Sequence, residues 1–152
     1  MRVLAIDPGP KESGFVIYDK NGDEGKILES GVMETRNLLE LVHSPLGVHV
    51  VAIEMIASYG MAVGKDVFET CVWIGRIQQA SPRPEKVALV YRKDVEMFLC
   101  GSAKAKDANI RQALIDRVGP QGTKKSPGPT YGVKSHAWAA LAVAVTVAHG
   151  WP

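Results

Sequence analysis

The sequence predicts an α/β fold with a five-stranded mixed sheet, made of three antiparallel strands plus two parallel strands and flanked by helices. The unbroken apolar runs at residues 3–6 and 48–53 are typical of strands that are buried on both faces. Between them, Asn21 and Gly22 form a strong hairpin pattern. After them, helical and extended segments alternate. With 152 residues and 46% hydrophobic content, the chain is expected to form a single domain over residues 1–152.

The first half of the chain predicts four strands and two helices. After the first strand, extended segments at residues 14–18 and 26–33 flank the hairpin turn and complete an antiparallel meander. Thr35 is suited to capping a short helix that leads to the fourth strand at 48–53. Residues 65–79 are apolar over much of a helical circumference. This helix either lies in the core or packs against a second copy of the chain.

The second half predicts one further strand and three helices. The strand covers residues 86–91 and is followed by a short helix over 94–98. Asp107 is the expected N-cap of a helix that ends at 118. Residues 119–132 are dense in Gly and Pro, so we expect no regular element there. The last helix is predicted to begin at Lys134 or Ser135. The small apolar residues of that helix predict close packing against the sheet.

An acidic residue ends each of the two buried strands, Asp7 after the first and Glu54 after the fourth. A strand, helix, strand connection normally returns parallel, and neighbouring strands lie about 4.8 Å apart, so the two carboxylates are expected side by side at one sheet edge. Like charges repel there, and Mg²⁺ prefers carboxylate oxygens. The pair therefore predicts half of a metal site. The alternative is two unrelated acids, one in a turn and one capping a helix.

His136 lies near the start of the last predicted helix. A neutral imidazole is a good metal ligand or proton acceptor, although a histidine in such a position is often exposed and without function. The pattern makes His136 a candidate third ligand beside the two acids.

Charge is distributed unevenly along the chain, although the net charge is only +2. Residues 1–82 carry 7 Lys and Arg against 11 Asp and Glu, whereas residues 83–134 carry 11 against 5. A basic segment suits a polyanionic partner, and a solvated basic surface is the alternative. The longest apolar run, residues 137–148, is too short to span a bilayer, so we expect a soluble cytoplasmic protein.

Three segments, IDPGPKESGFVIY, VVAIEM and KSHAWAALAVAV, resemble the RuvC-type Holliday junction resolvases of the ribonuclease H-like superfamily, especially the phage-encoded branch. The resemblance covers nearly the whole chain. It implies that Asp7, Glu54 and His136 are the catalytic and metal-binding residues of a two-metal phosphodiester hydrolysis, with Mg²⁺ as the cofactor and Mn²⁺ able to replace it. The family usually has another Asp where this chain has Ala139. Either Asp107 or Asp116 compensates, or one ion is held more loosely.

The same resemblance implies a homodimer that cuts four-way junctions or other branched DNA in the cytoplasm of a bacterium or a phage-infected host. Tyr59 would stack on a base near an opened junction. The implied phosphate contacts are Arg92, Lys93, Lys104, Lys106, Lys124, Lys125 and Lys134. Two related alternatives are a YqgF-type nuclease that processes ribosomal RNA and a catalytically weak junction-binding protein, which Ala139 makes plausible. The actin and sugar-kinase ATPases have a similar opening strand and turn, but they need two such domains.

Overall fold

The computed structural model describes residues 1–44 and 47–151, which form a mixed sheet covered by helices. The strands are β1 (Arg2–Asp7), β2 (Glu12–Asn21), β3 (Glu24–Glu34), β4 (Val50–Met55) and β5 (Ala88–Tyr91). The helices are α1 (Leu38–His43), α2 (Lys65–Ala80), α3 (Arg92–Cys100), α4 (Asp107–Val118) and α5 (Ala137–Gly150).

The five strands lie in the order β3-β2-β1-β4-β5. The β1–β2 and β2–β3 pairs are antiparallel, whereas β1–β4 and β4–β5 are parallel. The predicted fold class is therefore confirmed. Because β1 is central and parallel to β4, the ends of these two strands meet at one edge of the sheet.

Alternate residues of β1 face two separate apolar layers. Val3 and Ala5 pack on the side that holds α5, α3 and α4. Leu4 and Ile6 pack on the other side, against residues of α1 and α2. All four side chains are fully buried, which explains the unbroken apolar run. Burying a Leu or Ile side chain contributes about 1.5 to 3 kcal/mol, so this strand is firmly fixed at the centre of the domain.

Helix α5 lies directly on the sheet, as its small residues predicted. Ala140 and Ala144 are fully buried, and the helix packs against β1 and β2. It begins at Ala137, later than predicted, because Ser135 has a positive φ of 50°. A left-handed residue cannot continue a right-handed helix, so His136 becomes the residue that precedes the first turn.

The loop between α4 and α5 is held by its own hydrogen bonds. Gly122 and Pro127 form an isolated antiparallel bridge, and the buried Thr130 donates its hydroxyl to the carbonyl of Gly119 at 2.9 Å. Between the bridged residues, the exposed Lys124 and Lys125 occupy the tip of the loop. Over residues 1–44 and 47–151, no helix has both the length and the apolar character needed to cross a membrane.

Candidate active site

Asp7 and Glu54 lie next to each other at the end of the two central strands. The parallel register pairs Ile6 with Ile53, so the two acids occupy equivalent positions one residue later. Both side chains are partly covered by the surrounding structure. The predicted side-by-side arrangement of the two carboxylates is confirmed.

Burial and crowding disfavour ionisation of both carboxyl groups. The pKa of Glu54 is raised from 4.5 to about 7. Burial is the largest cause, and the neighbouring charge of Asp7 is the second. Burial also raises the pKa of Asp7, although the interactions with His136 and Glu54 counteract this effect. The pair therefore retains a proton to higher pH than isolated acids do. A cation placed between the two groups would relieve this repulsion.

His136 makes a direct contact with Asp7. Its Nδ1 atom lies 2.9 Å from Asp7 Oδ2. Because an ionised carboxylate can only accept, the bond requires the proton on Nδ1. In the neutral imidazole the opposite nitrogen, Nε2, then carries a lone pair that can bind a metal ion or take a proton from water. The sequence indicated His136 as a candidate ligand beside the two acids, and the structure brings it into contact with one of them.

Gly14 makes this contact possible. It is the register partner of Asp7 on the antiparallel neighbour β2. A Cβ atom at position 14 would lie 2.3 Å from the backbone carbonyl carbon and oxygen of His136. Only glycine therefore lets the start of α5 approach the sheet beside Asp7. The sequence alone does not reveal this role of Gly14, because the contact joins residues that are far apart in the chain.

A buried network fixes the turn that follows Asp7. The Gly9 amide donates to Ser13 Oγ at 3.1 Å, and Thr35 Oγ1 donates to the Gly9 carbonyl at 2.7 Å. The hydroxyl groups of Ser13 and Thr35 are 2.7 Å apart, and both residues are fully buried. Thr35 was predicted to cap a helix, but its hydroxyl instead ties the turn to the end of β3. This rigid turn keeps the Asp7 carboxylate in place.

Arg92 is a cation in the wall of the site. It is the first residue of α3, where the predicted helix started two residues later. Its Nε donates to Glu96 Oε1 at 3.1 Å, and its Nη2 atom pairs with Asp107. Its charge counteracts the rise in the pKa of both Glu54 and Asp7. Arg92 is therefore close enough to interact electrostatically with both acids and with any anion that binds beside them.

Asp107 and Asp116 were the two acids predicted to compensate for Ala139, and the structure distinguishes between them. Asp107 lines the same hollow as Asp7, Glu54 and Ala139. Asp116 lies elsewhere on α4, where it accepts a hydrogen bond from Gln112 at 2.8 Å on an exposed face. Asp107 is thus the nearer candidate. It is the first residue of α4 and follows the N-cap Lys106, so its predicted capping position was wrong by one residue.

Two hollows open beside the acids and share Asp7, Glu54 and Arg92. The first has a volume of about 440 Å³ and extends between α4 and α5. The second, of about 220 Å³, extends towards Tyr59. Tyr59 is 53% exposed, and the ammonium of Lys93 lies 4.0 Å from its ring centroid. Tyr59 is therefore on the surface beside the acids, where the sequence placed it.

The other predicted phosphate contacts are all exposed. Lys104 and Lys106 lie between α3 and α4, next to the helix that carries Asp107. Lys124 and Lys125 occupy the tip of the loop before α5, and Lys134 lies two residues before His136. Their exposure agrees with a role in binding phosphates, which stays a prediction.

The donor atoms of the site suit a divalent cation. Carboxylate oxygens and an imidazole nitrogen are common ligands. Burial raises the pKa of both acids, so a cation beside them would stabilise their ionised forms. Within residues 1–44 and 47–151, however, no three or more His, Cys, Asp or Glu side chains converge tightly enough to hold an ion as they stand. Asp7, Glu54 and His136 are the residues that would have to close around it.

No protein-family model matches the chain. The crossover junction endodeoxyribonuclease RuvC of Aliarcobacter butzleri (strain RM4018) is 39% identical over 36 residues, which cover 24% of this chain and only 23% of that relative. A structure of Thermus thermophilus RuvC covers 97% of this chain and 93% of its own, with a TM-score of 0.74 and 19% identity. The chain has the RuvC fold.

A second structure supports the same conclusion. T. thermophilus RuvC in complex with a Holliday junction substrate superimposes on the chain with a TM-score of 0.73 and 21% identity, over 97% of this chain and 93% of that one. The ribonuclease H-like architecture expected from the sequence is thus confirmed. The RuvC likeness extends over both central strands and α5, the elements that carry Asp7, Glu54 and His136. The phage origin stays a prediction.

If this site hydrolyses phosphodiester bonds, replacing His136 with Ala is expected to remove most cleavage activity in both Mg²⁺ and Mn²⁺, because Asp7 loses its partner and the site loses an imidazole donor. His136→Asp should retain activity but shift the metal preference towards Mg²⁺, since a carboxylate is a harder ligand than an imidazole. Initial rates on a labelled junction in each metal test this. If His136→Ala cleaves at the parental rate, the histidine is a bystander and Asp107 becomes the residue to replace.

Proposed function

We propose that this protein is a metal-dependent endonuclease that resolves four-way DNA junctions or related branched DNA by phosphodiester hydrolysis. The observation that carries the proposal is the placement of Asp7 and Glu54 at the ends of two parallel strands, with His136 bonded to Asp7. The RuvC fold supports it, since one of the superimposed proteins was solved with a Holliday junction substrate. We further propose that residues 1–152 form a single nuclease domain that acts in the cytoplasm.

Each residue of the site has a distinct role in this proposal. Asp7 and Glu54 would hold Mg²⁺, or Mn²⁺ in its place, and His136 would complete the ligand set or orient the attacking water through Nε2. When bound, the cations stabilise charge on the phosphate oxygens and lower the pKa of a bound water. Arg92, already beside the acids, would attract the phosphate and hold it by charge-assisted hydrogen bonds. Tyr59 would stack on an unpaired base next to the cut.

The test is incubation of the protein with a labelled four-way junction, a matched duplex and a structured RNA, each with Mg²⁺, with Mn²⁺ and with chelator. We expect metal-dependent nicks in the junction that carry a 5′-phosphate. Preferential cleavage of the RNA would favour the YqgF-type alternative. Tight junction binding without cleavage in either metal would favour a catalytically weak binding protein, for which Ala139 supplies a structural reason.

Junction affinity is expected to fall steeply with salt, because lysines that contact phosphates displace counterions. Replacing both Lys104 and Lys106 with Ala should lower the slope of log K against log[salt] by about 2, since each phosphate contact contributes about 0.9. Fluorescence anisotropy over a salt series measures this slope. The matched control replaces Lys20 and Lys26, which lie at the opposite end of the sheet from Asp7. Equal slopes for the two double variants would exclude the proposed role.

We also propose a homodimer that uses the outer face of α2. Phe68 and Val72, one helical turn apart, are 61% and 63% exposed, whereas Ile74 and Ile77 of the same helix are buried in the core. Two large apolar side chains on one exposed stripe are typical of a protein interface. A dimer would place two active sites on one junction, as paired cleavage requires.

Sedimentation equilibrium at micromolar concentration is expected to give about twice the chain mass of 16.4 kDa. Phe68→Asp should shift the protein to the monomer, because a charge on the stripe would be buried without a partner. The exposed Glu85→Lys, which changes charge outside α2, serves as the control. A parental protein that stays monomeric even when junction DNA is bound would contradict the dimer.

A further inference from the structure

The larger hollow beside the acids has a wall without a role in the proposed chemistry. It opens at Asp7 and Glu54 and extends between α4 and α5, where Ile110, Leu114 and Trp138 form its apolar side. Ala139 also lines it, and its small side chain leaves this wall open. The volume of about 440 Å³ lies within the range of pockets that hold small ligands. A site for water and metal ions alone does not need such an apolar extension.

Arg111 and Trp138 form a stacked pair at this hollow. The guanidinium carbon of Arg111 lies 4.9 Å from the centroid of the Trp138 ring, and both residues line the hollow. Trp138 is only 7% exposed, whereas Arg111 is exposed. The planar guanidinium therefore extends the aromatic surface towards solvent. Such planes, like aromatic rings, are surfaces on which unstacked bases pack in nucleic-acid complexes.

The composition of the hollow favours a base over a second phosphate. Asp107 lies in its wall and can accept a hydrogen bond from an amino group on the edge of a base. Of the two arginines in the wall, Arg92 is paired with Asp107 and faces the reacting phosphate, and Arg111 lies on the Trp138 ring. Its apolar side would cover the face of a ring but offers nothing to a phosphate. A nucleobase matches both parts of the lining.

The position of the hollow agrees with a strand that crosses the acids. Asp7, Glu54 and Arg92 line both hollows, one of which continues to Tyr59 and the other to Arg111 on α4. If the reacting phosphate lies at the acids, as proposed above, its two neighbouring nucleotides face the two hollows. We propose that the hollow between α4 and α5 binds one unstacked nucleobase of the cut strand, stacked on the Arg111–Trp138 pair. This inference rests on the proposed function and adds a second base site to the one at Tyr59.

The experiment combines abasic sites in the DNA with substitution of Arg111. Binding of the protein to four-way junctions is measured in Ca²⁺, with an abasic site placed in turn at each nucleotide around the branch point. Removing the base that enters the hollow should weaken binding by the parental protein about tenfold, the usual size of a base-stacking contact. Arg111→Lys keeps the charge but loses the plane, so it should bind the intact junction less tightly and show no further loss at that position.

Arg117→Lys is the matched control. Arg117 lies on the same helix and also stacks on an aromatic ring, with its guanidinium carbon 5.2 Å from the centroid of Phe98, but it does not line the hollow. It should retain the full abasic effect. Ala139→Leu, which adds bulk to the lining of the hollow and leaves the Arg111 side chain in the sequence, should remove the effect as Arg111→Lys does. Thermal unfolding verifies that each variant is folded.

Three results would overturn the inference. One is an abasic effect of equal size in Arg111→Lys and Arg117→Lys, and another is a parental protein in which no abasic position weakens binding. In both cases the proposed junction nuclease would stand, because the parental protein still binds the intact junction and its cleavage in Mg²⁺ is measured separately. A parental protein that does not bind junctions at all would overturn the inference and the proposed function together.

Discussion

Replacing Asp7 with Asn is expected to reduce junction cleavage by about 10³-fold or more while leaving junction binding intact or stronger. Asp7 contacts His136 and lies beside Glu54, so it is the residue that connects the three proposed metal ligands. Its replacement removes one of the two strand-end carboxylates. Electrostatic stabilisation of the transition state is usually the largest catalytic contribution, which sets the size of the effect. Binding should not fall, because removing a negative charge lowers the repulsion between the site and the phosphate.

The control for Asp7→Asn is Asp116→Asn, which makes the same chemical change at an exposed position on α4. Single-turnover cleavage and anisotropy on the same junction separate the two effects. Cleavage by Asp7→Asn at a rate comparable with Asp116→Asn would exclude a metal site at the strand ends. Loss of binding together with cleavage would instead indicate that Asp7 supports the fold.

Much of this fold could be predicted because its central strands have simple sequence patterns. The fully buried β1 lies between two apolar layers, so every residue from Val3 to Ile6 must be apolar, and this pattern is visible without a structure. The same holds for β4. Since the strand, helix, strand connection is parallel, the proximity of Asp7 and Glu54 followed from general rules of topology.

Features that depend on long-range contacts could not be predicted in the same way. Gly14 resembles any glycine in a strand until the start of α5 is placed on it. In the sequence, Arg111 is one basic residue among many, and only the fold brings it onto Trp138, 27 positions later in the chain. The start of α5 was also missed, because the positive φ of Ser135 depends on how the preceding loop is folded. No local sequence pattern encodes these contacts.

The site also has an energetic cost that is visible in its two acids. Both carboxyl groups have raised pKa values, with burial as the main cause. A folded state that holds a proton more tightly than the unfolded state loses stability as pH rises through that interval. At neutral pH and above, the folded state would therefore be more stable if these two carboxyl groups were uncharged. This is expected of residues that are selected for function and not for stability.

Glu54→Gln is accordingly expected to abolish cleavage and, at the same time, to stabilise the metal-free protein at alkaline pH. The pKa of Glu54 rises from 4.5 in the unfolded chain to about 7 in the fold, so its ionisation costs the folded state on the order of 3 kcal/mol above pH 7. Gln is neutral at every pH and avoids this cost. At pH 8 with chelator, the melting temperature of Glu54→Gln should exceed that of the parent by several degrees.

The stability difference between Glu54→Gln and the parent protein should depend on pH. Below pH 4.5 the Glu54 carboxyl is protonated in both folded and unfolded parent, so the advantage of Gln should vanish there; it should grow between pH 4.5 and about 7 and then stay constant. Mg²⁺ should raise the melting temperature of the parent at pH 8 more than that of the variant, because only the parent has the second carboxylate. Thermal unfolding at a series of pH values, with and without Mg²⁺, measures all of these differences. A variant that melts well below the parent at pH 8 would show that Glu54 is needed for the fold, and its loss of cleavage would then say nothing about a metal site.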